Sequence, residues 1–220
     1  MMLDVAPDGT VFYAERDGRV RRIDHDASVT TTALALDVTQ ANEDGLLGLV
    51  LDPDFAENGW LYAYWSPANV GSDGPHNQIS RYTYDAASKT FDPASGKKIL
   101  SVTTQRETCC HAGGDMVFDE DGNLFLATGD NTNPFESGGF SPVDERAGRQ
   151  NYDSQRTSAN SNDLRGKVLR ITRRTTGPTR SPRATCSRRG RTRPARDLRD
   201  GLPQPVPHRD RPRLGERPGR

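Results

Sequence analysis

Apolar and polar residues alternate along most of the chain in short runs separated by turn-forming pairs. From Asp8 to Asp24 the stretch DGTVFYAERDGRVRRID alternates between two Asp-Gly pairs, the signature of a β-hairpin. Gly45 to Phe55 (GLLGLVLDPDF) is a continuous apolar run, which predicts a strand buried on both faces. Gly59 to Pro67 (GWLYAYWSP) and Asn77 to Asp85 (NQISRYTYD) return to alternation. Gly113 to Asp130 (GGDMVFDEDGNLFLATGD) predicts two strands around a Gly-containing turn, and Asp163 to Thr172 (DLRGKVLRIT) predicts one more. No window has a convincing helical period.

These strands recur as a weak internal repeat. VAPDGTVFYAERDG and VFDEDGNLFLATGD share an apolar-x-x-D-G-x-apolar-x-apolar-A pattern, and LVLDPDFAENGWLYAYWSP is a longer relative. Repeats of four-strand size with Asp-Gly turns suggest propeller blades of roughly 40–50 residues. The predicted fold is all-β: about three blades of a propeller over residues 1–172. A closed propeller needs at least four blades, so the ring should be incomplete. Residues 131–162 are polar and rich in Gly, Pro, Ser and Asn. A loop this long in a compact domain is usually functional or disordered.

Charge changes the picture beyond Thr172. The chain has 30 basic and 30 acidic residues, but residues 173–220 hold 15 arginines, 8 prolines, 4 acidic residues and no aromatic. The first 172 residues therefore carry a net −11 and every Trp, Tyr and Phe. The tail has almost nothing to bury and should stay disordered. No apolar run approaches the roughly 18 residues of a membrane span. Met1 to Asp4 lack the basic start and apolar stretch of a signal peptide. The three cysteines form no disulfide framework and no C-x-x-C spacing. Adjacent Cys109 and Cys110 read as two thiols, or as partners of cysteines elsewhere, ahead of a vicinal disulfide.

G-L-L-G-x-x-x-x-P-D-F within Glu43 to Pro67, then H-x-G-G and T-G-D within Cys109 to Phe135, resemble the glucose/sorbosone dehydrogenase family. Ser158 to Ile171 (SANSNDLRGKVLRI) fits the same family, and the resemblance covers nearly all of residues 3–172. It implies a six-bladed propeller that oxidises aldoses with pyrroloquinoline quinone (PQQ) and calcium. It also implies a sugar substrate, an external electron acceptor, and a secreted or periplasmic location. His111 matches the family's catalytic base, and Asp130 the acidic residue that supports it. Glu43 falls where a substrate-contacting Gln is usual, which leaves the sugar open. The family's PQQ-contacting Arg-Asn pair and calcium-binding carbonyls have no readable counterpart here.

The chemistry agrees. Removing a carbinol proton needs a base that titrates near neutrality, and His is the natural choice. His111 and Asp130 flank one predicted hairpin, so both belong at one rim of a sheet. Each assignment has a structural alternative. Asp130 could be a turn former, Glu43 a solvated residue at a strand entry, and His76 a loop residue. Asp119, Asp121 and Asn123 resemble the start of a calcium loop but lack its spacing, and so read as a β-turn.

The tail carries a second message. With free choice of synonymous codons, residues 173–189 can be encoded so that another frame reads EDDGTYTIPAGNLFP. Residues 195–209 can likewise give PEIYAMGFRNPFRI, which contains the family's G-x-R-N-P motif. Shifted reading of GC-rich codons yields Arg and Pro, so the tail is expected to be out of frame and the fragment inactive. Two other functions compete with a sugar dehydrogenase fragment. One is a non-catalytic propeller that binds carbohydrate or protein. The other, weaker, is a nucleic-acid arm, for which the tail has charge but no lysine or aromatic interleaving. An open three-blade array should also expose an edge and an apolar face, and so be poorly soluble or partly unfolded.

Overall fold

A computed structural model of the chain describes residues 2–26 and 29–172, together with the backbone of two short strands at 184–188 and 191–192. The strands form three antiparallel sheets, each wound in chain order. The first holds β1 (Leu3–Val5), β2 (Val11–Ala14), β3 (Arg19–Ile23) and β4 (Thr30–Ala35). The second holds β5 (Leu46–Leu51), β6 (Trp60–Trp65), β7 (His76–Asp85) and β8 (Thr90–Thr103). The third holds β9 (Gly113–Phe118), β10 (Asn123–Thr128), β11 (Val168–Thr172), β12 (Ala184–Arg188) and β13 (Arg191–Thr192). Three successive meanders are three propeller blades. The tail lies outside the described residues, except that β12 pairs with β11 through Leu169–Cys186 and its neighbours.

The predicted hairpin between Asp8 and Asp24 is β2 and β3, with Val11 opposite Ile23 and Ala14 opposite Val20. The continuous apolar run becomes β5, which starts the middle sheet. That sheet is buried on both faces. Leu49, Leu51, Leu61 and Ala63 pack against Phe12, Ala14 and Val20 of the first sheet. Tyr62, Tyr64, Ile79 and Val102 pack against Met116, Leu124, Leu126 and Leu169 of the third. In the first core Phe12 meets Phe55, Tyr84 and Phe91 with ring centroids 5.2–5.8 Å apart, largely edge to face, an arrangement that aromatic quadrupoles favour.

The innermost strands β1, β5 and β9 lie side by side. Gly48 in β5 and Gly114 in β9 make this possible. A Cβ on Gly48 would come within 2.0 Å of the Gly114 carbonyl, and one on Gly114 within 2.7 Å of the Leu47 side chain. The two glycines set how closely the middle and third sheets approach, and so place the segments that precede β5 and β9 at one rim.

Helix is confined, among the described residues, to Phe55–Asn58 and three single 3-10 turns. Residues 131–162 fold without strands around buried Asp144. Its carboxylate accepts from Ser137 Oγ (2.5 Å), from Arg146 Nε and Nη2 (2.7 Å each) and from Arg149 Nε (3.3 Å). These donors hold the Asp144 carboxyl far below the usual carboxylate range, Arg146 foremost. Arg146 and Arg149 also stack on Phe140 and Tyr152. A surface hollow lined by Glu136, Ser137, Gly138, Arg146, Ala147 and Arg149 lies on this lobe and takes in none of Glu43, His111 or Asp130.

Candidate active site

Glu43, His111 and Asp130 converge. His111 precedes β9 and Asp130 follows β10, so the β9–β10 pairing carries the two side chains to one end of the third sheet. His111 Nδ1 lies 2.8 Å from Asp130 Oδ1. A carboxylate only accepts, so in the neutral imidazole Nδ1 is the nitrogen that bears hydrogen and Nε2 the one with the lone pair. The imidazole is 43% exposed and Asp130 only 19%. The carboxylate is thus the sheltered partner and the imidazole the one open to solvent. Asp130 Oδ1 also accepts from Thr132 N (3.0 Å), so the turn role and the imidazole contact coexist in one side chain. Glu43 precedes β5, and its Oε2 accepts from Ala112 N (3.1 Å), beside His111.

The H-x-G-G and T-G-D motifs have a steric basis. A Cβ on Gly129 would lie 1.7 Å from the His111 carbonyl oxygen, so no side chain fits between Thr128 and Asp130. That contact brings the His111 and Asp130 backbones together. Asn131 N donates to His111 O (3.2 Å) and Gly129 N to Ala112 O (3.2 Å).

Several positioning residues escaped the sequence reading. Asn131 is buried, and its side chain bridges Gln105 in both directions: Gln105 N donates to Oδ1 (2.6 Å) and Nδ2 donates to Gln105 O (3.2 Å). On the other side, Arg16 of the first sheet donates to the carbonyls of Asp44 (2.8 Å), Gln40 (2.9 Å) and Asn42. Arg106 pairs with Asp44 (3.2 Å) and donates to Pro67 O (2.9 Å) and His76 O (2.8 Å). Burial pushes the Asp44 carboxyl above the usual carboxylate range, against the pull of Arg106. The Glu43 turn is therefore clamped by two guanidiniums from different blades. Such contacts join residues 24 to 62 positions apart in the chain, and no local pattern announces them.

Two expectations are corrected. His76 is not a loop residue: it opens β7, is buried, and places Nδ1 2.8 Å from Gly74 O. It pairs with Thr103 of β8, and its carbonyl accepts from Arg106 Nη2. Cys109 and Cys110 are not separate thiols but form a disulfide with each other, immediately before His111. Asp119 acts within its turn, accepting from Asn123 N (2.7 Å) and Nδ2 (2.8 Å).

With that geometry in place, residues 1–191 match the Glucose / Sorbosone dehydrogenase family. The chain belongs to this family. The match runs past Thr172 into the Arg/Pro-rich segment. Aldose sugar dehydrogenase YliI of Escherichia coli K12 is 35% identical over 97 residues, which cover 43% of this chain and 25% of that relative. Hedgehog-interacting protein of Mus musculus is 32% identical over 94 residues, 40% of this chain and 13% of that protein. The fold matches the PQQ-bound aldose sugar dehydrogenase of Streptomyces coelicolor with a TM-score of 0.59 at 22% identity, over 82% of this chain and 47% of that one. The chain thus spans about half of a solved dehydrogenase chain and a quarter of a curated family relative. No helix among the described residues is long and apolar enough to cross a membrane.

Among the described residues, no group of three or more His, Cys, Asp or Glu side chains is placed to hold a metal. Arg16, Arg106 and Arg165, which bind the site's own loops, are committed to protein carbonyls, to Asp44 and to Asp163. A quinone tricarboxylate would need cationic partners beyond these.

Proposed function

We propose that this chain is the base-bearing part of a sugar dehydrogenase that oxidises an aldose at its anomeric carbon. The observation that carries this reading is the exposed His111 imidazole held through Nδ1 by sheltered Asp130. His111 Nε2 is free to take the proton of the anomeric hydroxyl, and Asp130 steadies the resulting imidazolium. Glu43 stands at the same rim as a sugar-hydroxyl acceptor. PQQ with calcium, the cofactor the resemblance implies, would supply the two-electron acceptor, and an external acceptor would reoxidise it. The resemblance puts the PQQ-contacting Arg-Asn pair in a later blade, and the fragment is proposed to be inactive without it. In the shifted readings proposed for residues 173–189 and 195–209, the second stretch carries the G-x-R-N-P motif that would supply this pair. The protein acts outside the cytoplasm, secreted or periplasmic, as the resemblance implies.

The test has two parts. Sequencing the DNA that encodes residues 165–220 checks whether another frame restores the family pattern. The restored protein, loaded with PQQ and calcium, is then assayed for dye reduction across a panel of aldoses. Turnover that falls about 10²–10⁴-fold in His111→Ala supports the proposal. No turnover with any sugar, and no effect of His111→Ala, overturns it.

A second reading is a non-catalytic propeller module that binds carbohydrate or protein at this rim. The 32% identity with a protein named for its interaction with Hedgehog favours it. Binding of a partner that survives His111→Ala, in a protein without turnover, would establish it.

A further inference from the structure

Cys109 and Cys110, joined by their own disulfide, stand immediately before His111, and the proton transfer makes no use of them. Both are half-buried, so a small reductant can reach them. Joining neighbouring side chains closes an eight-membered ring through the peptide between them. The ring restricts the soft backbone torsions on either side of that peptide, ψ of Cys109 and φ of Cys110, which an open chain leaves free. The disulfide is therefore a local brace that fixes the direction in which the chain enters His111.

His111 needs such a brace. Its φ is 60°, in the left-handed region that a residue with a Cβ disfavours. Of the five non-glycine residues with left-handed backbone among the described residues, three form or adjoin the site: Asn42 before Glu43, His111 itself, and Asn131 after Asp130. Such residues persist where their surroundings over-determine them. After His111, Ala112 N donates to Glu43 Oε2, and the His111 carbonyl accepts from Asn131 N. Before it, the hold comes through residues 105–110. Thr108 N donates to Gln105 Oε1 (2.9 Å), Gln105 Nε2 to Thr108 Oγ1 (3.1 Å), and Thr108 Oγ1 to Cys109 O (3.1 Å). Gln105 is in turn fastened to Asn131. This network reaches the Cys109 carbonyl, and the disulfide ring carries it across Cys110 to His111.

We propose that Cys109 and Cys110 are positioning residues whose oxidation state sets whether His111 can act as the base. The proposal rests on the reading of His111 given above. In the disulfide form the imidazole is held against Asp130 through Nδ1. A dithiol reductant opens the ring by exchange. Its thiolate attacks one cysteine sulfur and expels the other; its second thiol then displaces the attached cysteine and closes the reductant's own disulfide. The S–S bond of the pair breaks, that of the reductant forms, and two electrons and two protons pass to Cys109 and Cys110. The two torsions are then free, His111 relaxes from its left-handed conformation, and its imidazole leaves Asp130. The base is thus assembled in an oxidising compartment and dismantled in a reducing one, where cysteines are kept as thiols.

The test reads the imidazole directly, in the full 220-residue chain labelled with nitrogen-15 histidine, at a pH where the imidazole is neutral. His111→Ala identifies the His111 signals. The oxidised chain is expected to show the Nδ1–H tautomer. Dithiothreitol should convert it to a tautomer mixture, with both thiols confirmed by alkylation and mass spectrometry and the far-UV circular dichroism unchanged, and reoxidation should restore the single form. Cys109→Ser combined with Cys110→Ser should show the mixture with or without reductant, whereas Cys186→Ser should respond as the native chain does. In the restored, PQQ-loaded protein the double variant should have a kcat about 10–100-fold below native with KM little changed, the pattern of a displaced base rather than of lost binding. If the double variant misfolds, the reduced native chain carries the test. An Nδ1–H tautomer that persists after full reduction, free thiols at both positions in the air-oxidised chain, or a double variant with native tautomer and native kcat overturns the proposal. A tautomer that responds while His111→Ala leaves turnover unaffected overturns instead the reading of His111 as the base.

Discussion

The site depends on distances that single atoms can ruin. Gly129 has the least room: the His111 carbonyl would lie 1.7 Å from any added Cβ. Gly129→Ala must push β10 away from the His111 segment and separate His111 from Asp130. It is expected to cost about 2–4 kcal/mol, at the upper end for a point change, read from chemical denaturation. Ala127→Ser, on the exposed face of the same strand, should cost under about 0.5 kcal/mol and serves as the control. Asp130→Asn tests the neighbouring contact differently. The amide can accept from Nδ1–H or donate to it, so the tautomer of His111 is no longer fixed. Nitrogen-15 shifts of the imidazole should show one tautomer in the native chain and a mixture in the variant, with little change in melting temperature.

Residues 131–162 form an element without regular structure, and their order rests on charge. Asp144 is buried with two guanidiniums and a hydroxyl on its carboxylate, so its folded pKa lies far below that of the unfolded chain. A carboxylate of this kind stabilises the fold fully above its unfolded pKa of about 4 and loses that contribution as pH falls toward the folded value. The melting temperature of the native chain should therefore exceed that of Asp144→Asn by a constant amount at neutral pH. The gap should shrink steadily below about pH 4, and a gap that stays constant down to pH 2 contradicts the assignment. This lobe marks where the sequence stops being legible. Its polarity identified a long loop, but nothing local paired Asp144 with Arg149, and nothing tied Asn131 to Gln105. The strands with alternating residues were legible because one buried face repeats every second residue. β8 was not, since its middle residues Asp92 to Lys98 are largely exposed and include no large apolar side chain, so no apolar alternation marks them. The H-x-G-G and T-G-D motifs located His111 and Asp130, whereas the clamps on the Glu43 turn needed three dimensions.

At the scale of the whole molecule, stability is concentrated in the middle sheet. The continuous apolar run beginning at Leu46 correctly marked a strand buried on two sides, because its neighbours on either face are both within the chain. Among the described residues the terminal sheets have one covered face each, and Leu3, Val5, Val117 and Val168 on their other faces are exposed. A core substitution should therefore act on all three sheets together. Leu126→Ala, at a fully buried site between the second and third sheets, should cost about 2–5 kcal/mol. Chemical denaturation followed by far-UV circular dichroism checks this: a single cooperative transition at lower denaturant is expected, and a separate transition of one sheet would contradict it.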